Sequence, residues 1–429
     1  MTKEKFEQKF PVVFTEKADG FVNGVRGWHI ENATPGLYTL DVEHIPESIV
    51  YSHNDLSNPD NVATRYRKDL CVHKCPFCFN EQSEIYTQFK TNGDGNKVLN
   101  KIMSLEETMG VIDQAIAIAK SEGHEFESVK FLGPGELLMN PDLFKIIDEY
   151  EKRDVIFNIF TKGALLGNDE LAMKYQNMTA KNLVNTLASH KNVGLLMSFQ
   201  SFDNLLQESL VTSIDENGNV KGIKNYGMMQ EKALDNIFNS EFYNNGITNR
   251  ISIINAPIVP ENINESFDIY KFFIERGTPV VMTPSMLSGK GCMQIAKQKI
   301  NEEEWFNRLV DLYAKIYAFN VEKGVQTSEQ IAREGIASYV GAQPCNQASV
   351  GLYIRANGLI QMCPGRFDKE TIFGNVMENS LEEIWNNSPN KSKGLNNPHN
   401  LVNNKCPAKD GMAFPNDFYE RVMKRYKEL

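Results

Sequence analysis

The chain has 429 residues, of which 41% are hydrophobic, 23% are charged and seven are cysteine, and its net charge is −10. That is the composition of a globular protein, long enough for one large α/β barrel plus a smaller module. No run of 18 apolar residues occurs, so no transmembrane helix is expected. The opening MTKEKFEQKFPVVF lacks the apolar core of a signal peptide. The expectation is therefore a cytoplasmic protein whose cysteines are metal ligands rather than disulfides. The acidic net charge argues against general nucleic-acid binding.

The first elements are faint, and residues 1–35 receive no assignment. GLYTLDVEHI (36–45) reads as a strand, and a polar loop follows to the first cysteines. Beyond them the chain alternates. A helix over 104–122 opens with a capping box, Ser104 and Glu107. Strand SVKFLG (128–133) ends in a glycine turn, and a helix over 141–152 begins with Pro141 in its first turn. Strand VIFNIFT (155–161), a helix near 169–190 and strand VGLLMSF (193–199) come next. A polar insertion at 212–227 and a helix precede strand NRISIINAPI (249–258), helix 262–276 and strand PVVMTP (279–284). Six strands alternating with helices predict a parallel sheet, a partial (β/α)6 barrel, with its active site in the loops after the strands.

Three of the seven cysteines fall within LCVHKCPFCFN (70–80), at Cys71, Cys75 and Cys78, after the first strand. Structural zinc sites take four protein ligands, and no fourth cysteine lies within 200 residues. His73, inside the three-residue spacer, would strain to reach the same ion. A [4Fe–4S] cluster suits three thiolates better, because its fourth iron stays open for a substrate or cofactor.

With that spacing, and Phe77 just before the third cysteine, CVHKCPFC resembles the signature of the radical S-adenosylmethionine (SAM) superfamily. The resemblance implies that the open iron chelates SAM and that reductive cleavage gives methionine and a 5′-deoxyadenosyl radical, which takes a hydrogen atom from the substrate. It places Phe77 near the adenine. FLGPGE (131–136) stands where the family carries a Gly-Gly-Glu motif contacting the SAM amino group, implicating Gly133, Gly135 and Glu136, with Pro134 as a departure. Glycines let the backbone approach a ligand, and a carboxylate accepts from an ammonium. Ser198, Asn255 and the loop 283–291 are further SAM contacts on the same resemblance.

Near the C-terminus, Cys345 and Cys363 are spaced as C-x12-G-x4-C around Gly358, and Cys406 follows. VGLYIR and LIQMC form a hairpin turned at Asn357-Gly358, and Ser380 with Glu383 caps a short helix. The order is similar to a twitch module, the shortened relative of the SPASM module that holds an auxiliary [4Fe–4S] cluster. Lys409 stands where such modules place a fourth cysteine. Either the auxiliary cluster keeps an open iron, or Cys292 or a carboxylate such as Asp410 closes it.

The expectation is a radical SAM enzyme with two [4Fe–4S] clusters and SAM, the first on Cys71, Cys75 and Cys78, the second on Cys345, Cys363 and Cys406. Its divisions are a barrel over 36–299, a helical bridge over 300–339, a small α+β cluster module over 340–412 and a C-terminal helix over 413–429. The favoured substrate is a small polar metabolite such as a sugar, aminocyclitol or nucleotide, with a peptide as the alternative, and flavodoxin or ferredoxin as reductant. An iron–sulfur or zinc sensor that needs no SAM is the competing non-enzyme reading. Cys292 is either an inert thiol or a hydrogen-atom donor at the rim. Lys290, Arg355 and Arg366 are either solvated or anion-binding, and the end YERVMKRYKEL reads as a solvated amphipathic helix.

Overall fold

The computed structural model describes residues 3–10, 36–55, 70–79, 89–214, 217–243, 248, 250–285, 289–291, 300–329, 331, 336, 350–362, 364, 371–389, 391 and 417–429. Cys292, Cys345, Cys363 and Cys406, with Arg366, Lys409 and Asp410, lie outside them. Among the described residues no helix is long and apolar enough to cross a membrane.

In chain order the elements are α1 (Lys3–Lys9), β1 (Thr39–Val42), α2 (Glu47–Asn54), the hairpin β2 (Phe89–Thr91) and β3 (Lys97–Leu99), α3 (Leu105–Ser121), β4 (Ser128–Phe131) and α4 (Leu143–Glu151). β5 (Ile156–Thr161), α5 (Ala164–Gly167), α6 (Asp169–Gln176), α7 (Ala180–Ser189), β6 (Val193–Ser198) and α8 (Asn204–Ser209) follow. Then come the small hairpin β7 (Ser213–Ile214) and β8 (Val220–Lys221), α9 (Tyr226–Phe238), β9 (Ile251–Ile258), α10 (Ile263–Ile274), β10 (Val280–Pro284) and α11 (Glu302–Glu322). The chain ends with β11 (Gly351–Ile354), β12 (Leu359–Gln361), β13 (Ile372–Asn375), α12 (Leu381–Asn387) and α13 (Phe418–Tyr426).

Six parallel strands run β10-β9-β6-β5-β4-β1, the expected partial barrel. The sheet does not stop at β1. β11 pairs with it in parallel, Thr39 opposite Gly351 through Val42 opposite Ile354, and β12 and β13 extend it antiparallel to a nine-stranded whole. The C-terminal hairpin is thus present with its turn at Asn357-Gly358, and it is built onto the barrel's first edge. α12 docks beside it on α3, where the fully buried Trp385 donates its indole N–H to Glu122 at 2.9 Å.

Alternation sorts the strand residues. Leu40, Val42, Val129, Phe131, Phe157, Ile159, Leu195, Met197, Ile251 and Ile253 pack outward into the core under the helices. Leu196, Ile254 and Val281 form a separate inner cluster lining the bore. Odd and even positions of one strand therefore meet different chemistry.

Local signals account for several helices. Ser104 Oγ accepts from the Glu107 N–H at 3.1 Å, and Glu107 answers at the Ser104 N–H at 2.8 Å, closing the expected capping box. The single helix expected over 169–190 is two, because Asn177 turns into the left-handed region at φ 53° and Thr179 caps a new start. The C-terminal helix is also not a solvated end. Phe418 and Val422 are buried, and Phe418 meets Tyr313 of α11 edge to face at 5.5 Å. The unassigned N-terminus supplies α1, whose buried Phe6 lies among the rings of Phe199, Phe202 and Phe272.

Candidate active site

Residues 70–79 form a loop lying across the C-terminal ends of the barrel strands, tied down by backbone at three points. Leu70 O accepts from Glu136 N at 2.8 Å, Lys74 N donates to Val211 O at 2.8 Å, and Cys78 O accepts from Lys290 N at 2.9 Å. These ties come from the loops after β4, β6 and β10, so three distant parts of the sequence hold one short segment. Two glycines make the approach feasible. At Gly135, φ 85°, a Cβ would stand 2.3 Å from Leu70 O, and at Gly289, φ 53°, one would stand 2.4 Å from Cys78 O. Any side chain there would push the loop away.

Cys71, Cys75 and Cys78 are free, half-buried thiols. Burial pushes the Cys71 thiol well above its usual value, as do the neighbouring Cys75 and Glu136, while the His73 backbone N–H donates to its sulfur and acts the other way. Burial pushes Cys75 up to about 11, against the pull of Lys162 and Lys290. Thiols so placed lose their protons to a bound metal rather than to water, and metal binding then releases protons. Among the described residues, the group of three side chains close enough to share one ion (4.8 Å) is Asp148, Glu151 and His190 on the surface, and the loop cysteines do not meet that spacing. They are no preformed single-zinc site. Three separated sulfurs with lysines around them fit a larger, anionic iron–sulfur cluster.

Glu136 is buried at 4% exposure. Its carboxylate accepts from Lys162 N at 2.9 Å and Leu138 N at 3.4 Å. Burial raises its pKa, and these N–H groups, the Thr161 hydroxyl and the charge of Lys162 oppose the rise. Among the described residues no cation forms an ion pair with it. Lys162 Nζ instead stands 5.2 Å from the centre of the Phe77 ring, joining the Glu136 turn to the cysteine loop. Lys162 was not singled out from the sequence. Its signal was there: a cation directly after a strand and before Gly163, which turns at φ 75°.

The other expected contacts divide. Ser198 ends β6 on the inner face, and its carbonyl accepts from Gln230 at 3.0 Å. Gly133 turns at φ 102° beside Gly135. Lys290 sits against the cysteine loop through its backbone. Asn255 is not brought to the site: it faces the helical layer, donating to Phe199 O at 2.9 Å and accepting from Ser266 of α10 at 3.1 Å. Arg355 is neither solvated nor open to an anionic substrate. It is fully buried and ion-paired to Glu43 at 3.2 Å. His73 is buried near the cysteines, and burial with two adjacent lysines lowers its pKa to about 3.

Beneath the mouth, the inner faces of β1 and β4 are polar. Asp41 and Lys130 pair at 3.2 Å, both almost wholly buried, and Lys130 also donates to Thr39 at 3.0 Å. Burial raises the Asp41 pKa while Lys130 holds it down.

The arrangement is a three-cysteine loop held at the mouth of a partial barrel. Residues 345–408, which contain Cys345, Cys363 and Cys406, match the SPASM family, an iron–sulfur cluster-binding domain. The same chain carries, apart from that module, the C-x3-C-x2-C loop at the barrel mouth. Among curated proteins, no sequence matches it as a relative. Solved structures similar to it include native anSMEcpe with bound AdoMet, 13% identical, covering 91% of this chain and 96% of that one at a TM-score of 0.49. SuiB of Streptococcus suis bound to S-adenosylmethionine is 15% identical, covering 84% and 68% at 0.45. BtrN in complex with AdoMet and 2-DOIA is 11% identical, covering 86% and 91% at 0.36.

Proposed function

We propose that Cys71, Cys75 and Cys78 bind a [4Fe–4S] cluster whose open iron takes SAM, and that the enzyme abstracts hydrogen from a small polar metabolite to begin its oxidation, epimerisation or rearrangement. The observation that carries this reading is the single backbone hydrogen bond, 2.8 Å from Glu136 N to Leu70 O, that sets a buried carboxylate, without an ion pair among the described residues, against the cysteine loop at the mouth of the barrel. When bound, the cluster supplies the electron that cleaves SAM. The chain does the rest. Glu136 would accept from the SAM ammonium and Phe77 would line the adenine, while Gly133 and Gly135 form the turn that brings Glu136 against the cysteine loop. Ser198 stands on the inner wall within the same mouth. Cys345, Cys363 and Cys406 hold the auxiliary cluster, and a flavodoxin or ferredoxin delivers the electron.

The test is anaerobic reconstitution of wild type and of a Cys71→Ala/Cys75→Ala/Cys78→Ala variant, with iron counted and SAM cleavage followed under dithionite. About eight irons per chain falling to about four, with loss of 5′-deoxyadenosine, is the expected result. Zinc in place of iron with no SAM cleavage overturns the reading. Stimulation of cleavage by a small-molecule cell fraction supports the substrate class, and stimulation only by a peptide fraction replaces it with a peptide substrate.

A further inference from the structure

His73 occupies the middle of the three-residue spacer between Cys71 and Cys75 and is only 4% exposed. Its ring lies edge-on to Tyr226, with centroids 5.3 Å apart, and among the described residues neither ring nitrogen has a hydrogen-bond partner. The neighbourhood is poor in acceptors. The Tyr226 hydroxyl donates to Lys162 O at 2.7 Å and meets Gln230, and the charges nearest the imidazole belong to Lys162 and Lys74, which only donate. An imidazole carries at least one N–H in either protonation state. Buried donors are almost always satisfied, so this N–H calls for an acceptor that the described residues do not provide. A four-iron cluster on the flanking cysteines brings sulfur acceptors to this loop.

We propose that the imidazole N–H of His73 donates a hydrogen bond to a sulfur of the cluster held by Cys71, Cys75 and Cys78 and thereby raises the cluster's reduction potential. This inference rests on the cluster assignment made above. A donor aimed at a cluster sulfur stabilises the extra electron of the reduced state, so its removal favours the oxidised state. The same residue already donates its backbone N–H to the Cys71 sulfur. One position would then supply two of the loop's donors. If the ring only fills space against Tyr226, phenylalanine should serve as well.

The experiment is an anaerobic redox titration of the reconstituted full chain, followed by electron paramagnetic resonance, with the signal that responds to added SAM taken as the N-terminal cluster. His73→Phe keeps the ring and its packing but removes the donor. At a fixed potential its ratio of reduced to oxidised cluster should fall about tenfold, equivalent to about 59 mV for a one-electron couple. His73→Gln, which keeps an N–H donor, should recover most of that ratio. Identical titrations of wild type and His73→Phe would overturn the proposal while leaving the cluster assignment intact. Absence of any SAM-responsive signal in wild type would overturn both. Should His73→Phe fail to load iron, wild type grown with histidine labelled with 15N in the ring decides the matter by pulsed resonance. A ring-nitrogen coupling to the reduced cluster supports the bond, and its absence overturns it.

Discussion

Two glutamates at the ends of neighbouring barrel strands are both buried, yet the chain treats them oppositely. Glu43, just past β1, is matched on every side: Tyr353 donates to it at 2.5 Å, Arg355 at 3.2 Å and the Ala356 N–H at 2.9 Å. Those donors belong to β11 and the turn after it, so Glu43 fastens the C-terminal sheet extension to the barrel. Glu136, past β4, has backbone N–H groups and the Thr161 hydroxyl but no cationic ion pair among the described residues. A buried charge with its partner in place is part of the framework. A buried charge held by neutral donors, with Lys162 acting on it but forming no ion pair, is raised in energy and has affinity for a cation. Burial alone does not mark the ligand-binding residue. What distinguishes Glu136 is that no ion pair meets it among the described residues, and on the proposed function the SAM ammonium would supply one.

The largest expected effect lies at the framework glutamate. Glu43→Ala leaves Arg355 charged and unpaired in the interior, and stability should fall by about 3–5 kcal/mol in urea unfolding. A loss below about 1 kcal/mol would show that the sheet extension is held by its strand pairing and not by this joint.

At Glu136 the effect should fall on the ligand instead. Removing a charge-assisted hydrogen bond to an ammonium costs about 1.5–3 kcal/mol, so Glu136→Gln should weaken SAM binding to reconstituted enzyme by roughly 10- to 100-fold in calorimetry. Unchanged affinity would take Glu136 out of the SAM site and leave the comparison without its second half.

The same variant should show a pH signature of smaller size. The folded-state pKa of Glu136 is raised above its ordinary value, chiefly by burial. Its contribution to stability is therefore complete below the unfolded pKa and is lost as pH rises through the folded one. Glutamine does not titrate. The stability of Glu136→Gln relative to wild type should then improve between roughly pH 4 and pH 7, read by urea unfolding at both ends of that range without SAM. A pH-independent difference would mean that the carboxyl is better solvated than its position implies.

The smallest effect belongs to a purely local device. Ser104→Ala opens the capping box of α3 and should cost about 1 kcal/mol with no change in SAM affinity. A change in affinity there would mean that α3 positions the mouth, which its packing against α12 on the outer side does not suggest.

Much of this was written within a few residues of itself. The Ser104/Glu107 box, the Asn357-Gly358 turn and the cysteine spacing each depend on neighbours close in sequence, so composition and spacing sufficed to find them. The six-strand alternation was equally legible, because period 2 and period 3.6 leave separate marks. The short strands Phe89–Thr91 and Lys97–Leu99 and the hairpin within the 212–227 insertion left no such mark, being too brief to show a period.

The tertiary structure decided the rest. Asn255, on the fifth barrel strand, is expected to contact SAM on the family resemblance. The pleat turns it to Ser266 in the helical layer, while its neighbour Ile254 faces the bore. In ISIINAPI the two polar residues, Ser252 and Asn255, fall on opposite faces, so the sequence carries no signal of which face is which. Arg355, expected to be either solvated or anion-binding, is carried by strand pairing to Glu43, 312 positions away. The cysteine loop itself is held from residues 136, 211 and 290. Ligand types and spacing are local properties, and the sequence determined them by itself. Which charges end up paired depends on contacts between segments hundreds of residues apart, and only the folded sheet could settle that.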